Sequence, residues 1–275
     1  VVVDNTHLVR TFLPYLKMRN YLTSLFFLLF VTDAFAQLNE SDTLQFQLRS
    51  SISGNYQQGN VALLAIRSKL DFTYSPVKQF VFKSQNSSLY QEFGNRKADN
   101  DLFSRNYLYW KPQKKVYPFG IAYISSNFRR KIETRLFAGA GVTYQFVQKQ
   151  FHVLKLSASA LYETNRFKGM VYNKTEYNGN NQINLWRGTL YAGGWNYILN
   201  RKLRLYYDVY WQPAFNNSNN YRTQYDIGAD IPLWKGLNLS VLYIFTHENV
   251  VISNIKQQDK ILSFGFSYNF KQKHK

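Results

Sequence analysis

The feature that most constrains this chain is a two-residue alternation of apolar and polar side chains, sustained over segments of roughly ten residues and broken by turn residues. In the first segment Leu44, Phe46, Leu48, Ile52, Gly54 and Tyr56 share one face, with Gln45, Gln47, Arg49, Ser51, Ser53 and Asn55 on the other. Gln57-Gln58-Gly59-Asn60 reads as a tight turn. The next segment returns with Ala62, Leu64, Ile66, Leu70, Phe72 and Tyr74 on one face, against Arg67, Lys69, Asp71 and Thr73. Successive side chains of a strand point to opposite faces of its sheet, so each segment presents one apolar and one polar surface. Beyond Gln37 no apolar run approaches the ~20 residues of a membrane-spanning helix, and long helical periodicity is missing.

The same reading predicts further strands near 80–91, 102–111, 116–125, 132–147, 151–162, 183–198, 203–212, 221–231, 237–246 and 260–270. The expected fold is therefore all-β, an antiparallel transmembrane β-barrel of the outer membrane with about twelve strands; single-chain bacterial barrels have even strand numbers. The third and fourth segments alternate weakly, which leaves about ten strands as the alternative. With the N-terminus set in the periplasm, the connections falling on that side are 75–79, 112–115, 148–150, 199–202 and 232–236, all short. Those on the outer side, 92–101, 126–131, 163–182, 213–220 and 247–259, are longer, an asymmetry that a soluble barrel has no reason to show.

Aromatic residues make up 18% of the chain and fit this frame. Trp110, Tyr144, Phe146, Phe151, Tyr197, Trp234, Tyr268 and Phe270 map to periplasmic strand ends, and Tyr90, Phe103, Tyr123, Tyr162, Trp211 and Tyr221 to outer ends. Two belts at interface depth are what amphipathic rings prefer. The final strand places Leu262, Phe264, Phe266, Tyr268 and Phe270 outward, resembling the signal read by the barrel-insertion machinery, although Lys271-Gln272-Lys273-His274-Lys275 follows it.

Upstream, Met18-Arg19-Asn20 precedes the apolar run Leu25-Phe26-Phe27-Leu28-Leu29-Phe30-Val31, and Ala34-Phe35-Ala36 precedes Gln37. Small residues just after a short apolar core are what signal peptidase reads. The expected organisation is an upstream mis-start over 1–17, a signal peptide over 18–36, a barrel over 37–270 and a basic tail over 271–275. There is no cysteine, which excludes a disulfide framework and a thiolate metal site. The formal net charge is +18. Nucleic-acid binding would gather those cations on one face or helix, whereas here they are scattered. Outer-membrane lipids, lipopolysaccharide among them, or small anionic solutes are the expected partners instead.

Two stretches carry a resemblance: Ser53-Gly54-Asn55-Tyr56-Gln57-Gln58-Gly59-Asn60, and Arg135-Leu136-Phe137-Ala138-Gly139-Ala140-Gly141-Val142-Thr143-Tyr144. On these the chain resembles the salt-inducible, YdiY-like outer-membrane β-barrels, a domain of unknown function, over roughly Thr43 to Phe270. The resemblance implies location and fold and supplies no catalytic residues.

Gly139-Ala140-Gly141 lacks the third glycine and the following helix of a dinucleotide site; the glycines are expected to make room in the lumen or let the strand bend. No cofactor or metal is expected, since no His/Asp/Glu cluster has ligand spacing. His152 and His247 are the histidines within the barrel; His152 has no Ser or Asp two residues away, and Glu248 beside His247 points to the opposite face, so both read as interfacial polar residues and no enzymatic activity is expected. Charges facing lipid at mid-depth cost ~2–4 kcal/mol for Arg or Lys, which places Lys69, Asp71, Arg135, Lys155, Arg187, Arg204, Asp208, Arg222, Asp226 and Asp230 in the lumen. There they either line a narrow, anion-favouring path or pair and plug it, Asp208 with Arg204 or Arg222 for example. A passive channel or structural envelope component is the expected role. A lipid hydrolase using His152 or His247, and a surface binder using the 166–181 loop with Tyr172 and Tyr177, are the alternatives.

Overall fold

The computed structural model describes residues 38–42, 44–58 and 62–273. The expected signal peptide and the upstream segment lie outside them, as do Gly59 and Asn60 of the first turn. Twelve strands form the wall: β1 (Leu44–Gln57), β2 (Leu63–Val77), β3 (Phe80–Phe93), β4 (Arg96–Trp110), β5 (Val116–Asn127) and β6 (Ile132–Lys149), then β7 (His152–Phe167), β8 (Gln182–Ile198), β9 (Leu203–Pro213), β10 (Tyr221–Trp234), β11 (Leu237–Glu248) and β12 (Gln258–Lys273). Each pairs antiparallel with its sequence neighbours, and β1 pairs with β12 to close the barrel. The ten-strand alternative is excluded by that closure. Strand β12 runs on to Lys273, so Lys271, Gln272 and Lys273 of the expected tail are wall, opposite Gln47, Phe46 and Leu44.

Alternation decides which side of the wall each residue occupies. Ile52, Ile66, Leu70, Leu136, Trp186, Leu190, Trp211, Ile227, Phe264 and Phe266 are exposed on the outside. Gln47, Thr73, Arg135, Lys155, Glu163, Arg187, Arg204, Asp230 and Ser267 are buried inside. A soluble protein has this arrangement the other way round; an apolar outside and polar inside is that of a barrel solvated by lipid. Around β8–β12 the outward surface is bulky and apolar. On β2–β4 it is interrupted by Ser68, Ser84, Asn86, Ser88, Ser104 and Asn106, which occupy outward positions between apolar flanks.

Turns at the N-terminal end, here the near end, are short and basic: Lys78, Lys114, Lys115, Lys149, Arg201, Lys202 and Lys235 are exposed there, with no acidic residue among those turns. The far end differs from the sequence reading in one respect. The expected loop over 92–101 is a two-residue turn, Gly94-Asn95, and β4 starts at Arg96. Both turn residues have positive φ, 56° and 59°, as a type I′ hairpin requires. The strands simply extend past the apolar band, where both faces tolerate Glu, Lys and Asp. Long connections remain at 168–181, 214–220 and 249–257. Three of the expected belt aromatics point inward instead: Phe103 and Tyr123 line the lumen, and Tyr197 packs with Val153 and Trp195.

Candidate functional site

The site is the lumen, and it divides into a near gate, a middle chamber and a far gate. The near gate is built by residues ahead of the first strand. Asn39 to Asp42 turn back inside the wall, tied to β1 by Asn39 N–H donating to Gln47 Oε1 (3.1 Å) and Gln47 Nε2 donating to Asn39 O (2.9 Å). Glu40 is buried there and accepts from Lys155 Nζ (2.7 Å), Tyr117 Oη (2.9 Å) and Lys83 Nζ (3.3 Å). Burial alone pushes the Glu40 carboxyl up, but the two ammonium groups and the Lys155 hydrogen bond outweigh it and hold its pKa well below the usual carboxylate range. Beside this turn, Asp230 pairs with Arg204 (2.9 Å) and Arg49 (3.1 Å) and accepts from Ser240 Oγ (2.6 Å). Arg204 and Asp230 are both fully buried and lie directly opposite in the β9–β10 register.

The middle chamber is less tightly paired. Lys69 and Asp71 face it from β2, Asp208 from β9 and Asp226 from β10, with the two last directly opposite each other. Among the described residues Lys69 makes no hydrogen bond or ion pair, whereas Asp208 accepts from Tyr191 Oη (2.6 Å) and Asp226 from Gln224 Nε2 (2.9 Å). Arg105 stands at the centre. Its Nη1 donates to Tyr210 Oη (2.8 Å), and its guanidinium lies 4.8 Å from the Tyr210 ring centroid and 5.5 Å from that of Tyr123. Three voids of about 110, 70 and 150 Å³ lie along the lumen, and Arg105 borders all of them. A water needs only ~10–15 Å³ of such space, so each void has room for several. On the β5–β6 side, Gly141 leaves room for an aromatic neighbour: a Cβ there would come 2.7 Å from Phe119 Cζ.

Charges close the far gate. Arg135 forms a two-pronged pair with Glu248, both contacts 2.8 Å. Glu163, fully buried, takes Arg222 (2.5 Å), Arg187 (3.2 Å) and Asn165 Nδ2 (2.7 Å). Arg130 reaches from the β5–β6 turn to Asp259 (2.8 Å) and Glu248 (3.5 Å). These ties join β6, β7, β8, β10, β11 and β12 across one mouth. Above them Ile132, Phe167, Tyr172, Ile183, Leu185, Ala214, Val250 and Ile252 form an apolar cap. The 168–181 and 249–257 connections are sewn together there: Tyr172 bridges to Ile252, and Asn173 Nδ2 donates to Asn249 O (2.9 Å). Tyr172 is therefore buried within the cap.

With that geometry, the residues picked from sequence fall into three groups. Lys155, Arg204 and Asp230 are in the near gate; Lys69, Asp71, Asp208 and Asp226 are in the chamber; Arg135, Arg187 and Arg222 are in the far gate. The pairing suggested for Asp208 is replaced. Arg204 takes Asp230, Arg222 takes Glu163, and Asp208 bonds Tyr191. Sequence reasoning missed Glu40, Lys83, Arg105, Glu163 and Glu248, most of which the two-residue alternation would have placed inward, and put Arg49 on the polar face of β1 without giving it a role. Among the described residues neither barrel histidine bonds a serine or carboxylate: His152 Nδ1 lies 3.0 Å from Asn196 Oδ1, and His247 packs against the Tyr221 ring.

A family model described as "Protein of unknown function, DUF481" matches residues 50–270, the wall from β1 to β12. The chain belongs to the DUF481 family. This DUF481 barrel matches no curated protein. Among solved structures it is similar to the NanC porin, at 9% identity over 83% of this chain and 100% of that one, with a TM-score of 0.44. It is also similar to the translocator domain of the autotransporter NalP from Neisseria meningitidis, at 11% identity over 82% and 87%, TM-score 0.42. A bacterial polysaccharide outer membrane secretin aligns at 8% identity over 84% and 99%, TM-score 0.41.

Proposed function

We propose that this DUF481 barrel is a gated, narrow conduit for small anions in the outer membrane, reached through a cleaved signal peptide and closed at rest. The observation that carries the reading is the chamber. Arg49, Arg67, Lys69, Lys83 and Arg105 face it against Asp71, Asp208 and Asp226; Arg49 and Lys83 also serve the near gate, and Arg67, Lys69 and Arg105 are cations with no ion pair among the described residues. A low-dielectric wall focuses that charge on whatever enters. Both gates are built on ion pairs, and the far one carries the apolar cap as well. Membership of the salt-inducible, YdiY-like group is part of the same proposal, supported by the two short motifs in β1–β2 and β6.

The test is reversal potential in planar bilayers under a salt gradient, on protein whose closed barrel is confirmed by heat-modifiable gel mobility. Wild type is expected to show rare, small, anion-selective openings. Arg105→Gln is expected to move the reversal potential toward cation selectivity while leaving gel mobility unchanged. Cation selectivity in the wild type, or no response to Arg105→Gln in an active barrel, would sink the reading. A folded barrel that never conducts, even with Glu40→Gln, would leave the envelope-component role standing in its place.

A further inference from the structure

The outward interruption on β2–β4 has no place in a conduit and calls for its own explanation. Along β3 the outward series runs Phe80, Phe82, Ser84, Asn86, Ser88, Tyr90; along β4 it runs Leu102, Ser104, Asn106, Leu108, Trp110. Polar groups therefore sit at mid-height with apolar residues on both sides. Register brings them level: Asn86 opposes Ser104, Ser84 opposes Asn106, and Ser68 opposes Ser88. Local hydrogen bonds use only part of their capacity. Asn86 Nδ2 donates to Leu70 O and Ser84 Oγ, and Asn106 Nδ2 donates to Ser104 Oγ, each at 3.0 Å. Neither Oδ1 accepts a hydrogen bond among the described residues, and Asn106 keeps a spare N–H. Lipid chains offer nothing to satisfy those groups.

We infer that this face is the contact between two copies of the barrel in the membrane. Asn carries donor and acceptor on one side chain, so a seam of Asn and Ser is complementary to itself. Copies inserted in the same direction are related by a twofold axis along the membrane normal, which keeps each residue at its own depth. The seam then meets itself depth by depth, and with the axis between β3 and β4 each Asn86 faces a Ser104 across the contact. A different protein would need a matching polar seam at the same height. Next to it, β5 and β6 present Ala122, Ala138 and Ala140 outward, small enough to let two walls approach. The inference is independent of conduction.

Because the chain has no cysteine, single Ser88→Cys and Leu205→Cys variants report contact directly, the second from β9 on the opposite side of the wall. In nanodiscs or native membranes, Ser88→Cys is expected to cross-link to a species of twice the mass and Leu205→Cys is not. Adding Asn86→Leu and Asn106→Leu places apolar groups against lipid, so the barrel should still shift on gels. The cross-linked fraction should then fall, with association weakened on the order of tenfold for each Asn lost. A Ser88→Cys barrel that stays monomeric, that cross-links no more than Leu205→Cys, that cross-links only to a different protein, or whose cross-linking ignores the two Asn→Leu changes overturns the inference.

Discussion

Asp230→Asn is the sharpest perturbation the structure offers. Among the described residues Asp230 is the one carboxylate within ion-pair distance of Arg204, and both side chains are 0% exposed. Arg49 shares the same carboxylate at 3.1 Å. Removing the charge while keeping the shape leaves Arg204 buried with no counter-ion beside a second cation. Breaking a buried pair from one side costs ~3–5 kcal/mol. Asn Oδ1 still accepts one guanidinium N–H, and the neighbouring void admits water, which favours the lower end, about 3 kcal/mol. At 1.4 kcal/mol per factor of ten, that is a loss of about a hundredfold in the folded-to-unfolded ratio. Reversible urea unfolding in lipid vesicles, followed by Trp fluorescence and gel mobility, measures it. Arg204→Met should cost less, because it leaves Asp230 with Arg49. The double variant should recover most of the loss, since a buried pair exchanged for apolar packing is often neutral. Asp230→Asn within about 1 kcal/mol of wild type would mean that Arg204 is effectively hydrated. Arg204→Met proving the costlier single change would refute the assignment of Asp230 as the shared anchor.

The near gate titrates with a definite sign. Burial opposes the Glu40 charge, yet Lys155 and Lys83 hold its pKa below the ordinary value near 4.5, so its contribution is present above that value and is lost as pH falls below it. The stability difference between wild type and Glu40→Gln should therefore be full at neutral pH and shrink on acidification; a difference that is flat with pH would refute the pairing. Glu40→Gln should also raise open probability at neutral pH, read from single-channel records. Gly141→Val forces a Cβ against Ala158 O, Ser159 and Phe119 and should cost ~1–3 kcal/mol, of which Phe119→Leu returns only the smaller part due to the ring, as scored by urea midpoint. The basic near turns should hold anionic headgroups: a Lys111→Gln, Lys114→Gln, Lys115→Gln variant should retain less phosphatidylglycerol on native mass spectra than wild type, with neutral lipid unchanged. Equal retention would show the turns to be merely solvated.

How far the sequence could be read depended on what each residue faces. Where lipid lies on one side and the lumen on the other, as in β1, β2 and β12, the alternation of Ile52 with Ser53 or Phe266 with Ser267 is forced and legible. Strands β3 and β4 were blurred because Asn86 and Asn106 put polar groups on the lipid side, so apolar periodicity lost its meaning there. The turn at Gly94-Asn95 was hidden by flanking Glu92, Arg96 and Asp99, polar residues at home in a strand once it has left the bilayer. Inward charges could be placed because the alternative is so costly. Their partners could not, since alternation fixes a side but neither depth nor the neighbour across the lumen: Arg135 meets Glu248 from 113 residues away. Glu40 precedes the first strand and carries no periodic signal at all.

Eleven of the twelve strand pairings join sequence neighbours, and only β1 with β12 reaches across the whole chain. The wall is thus a ring of hairpins with a single long-range joint. Each hairpin can take its register from its own turn, while the joint needs only that the first and last edges match. A duplicated or deleted hairpin would change the circumference without breaking any other pairing. Relatives of different girth could arise from this barrel by one such event, provided the β1–β12 edges stayed as they are.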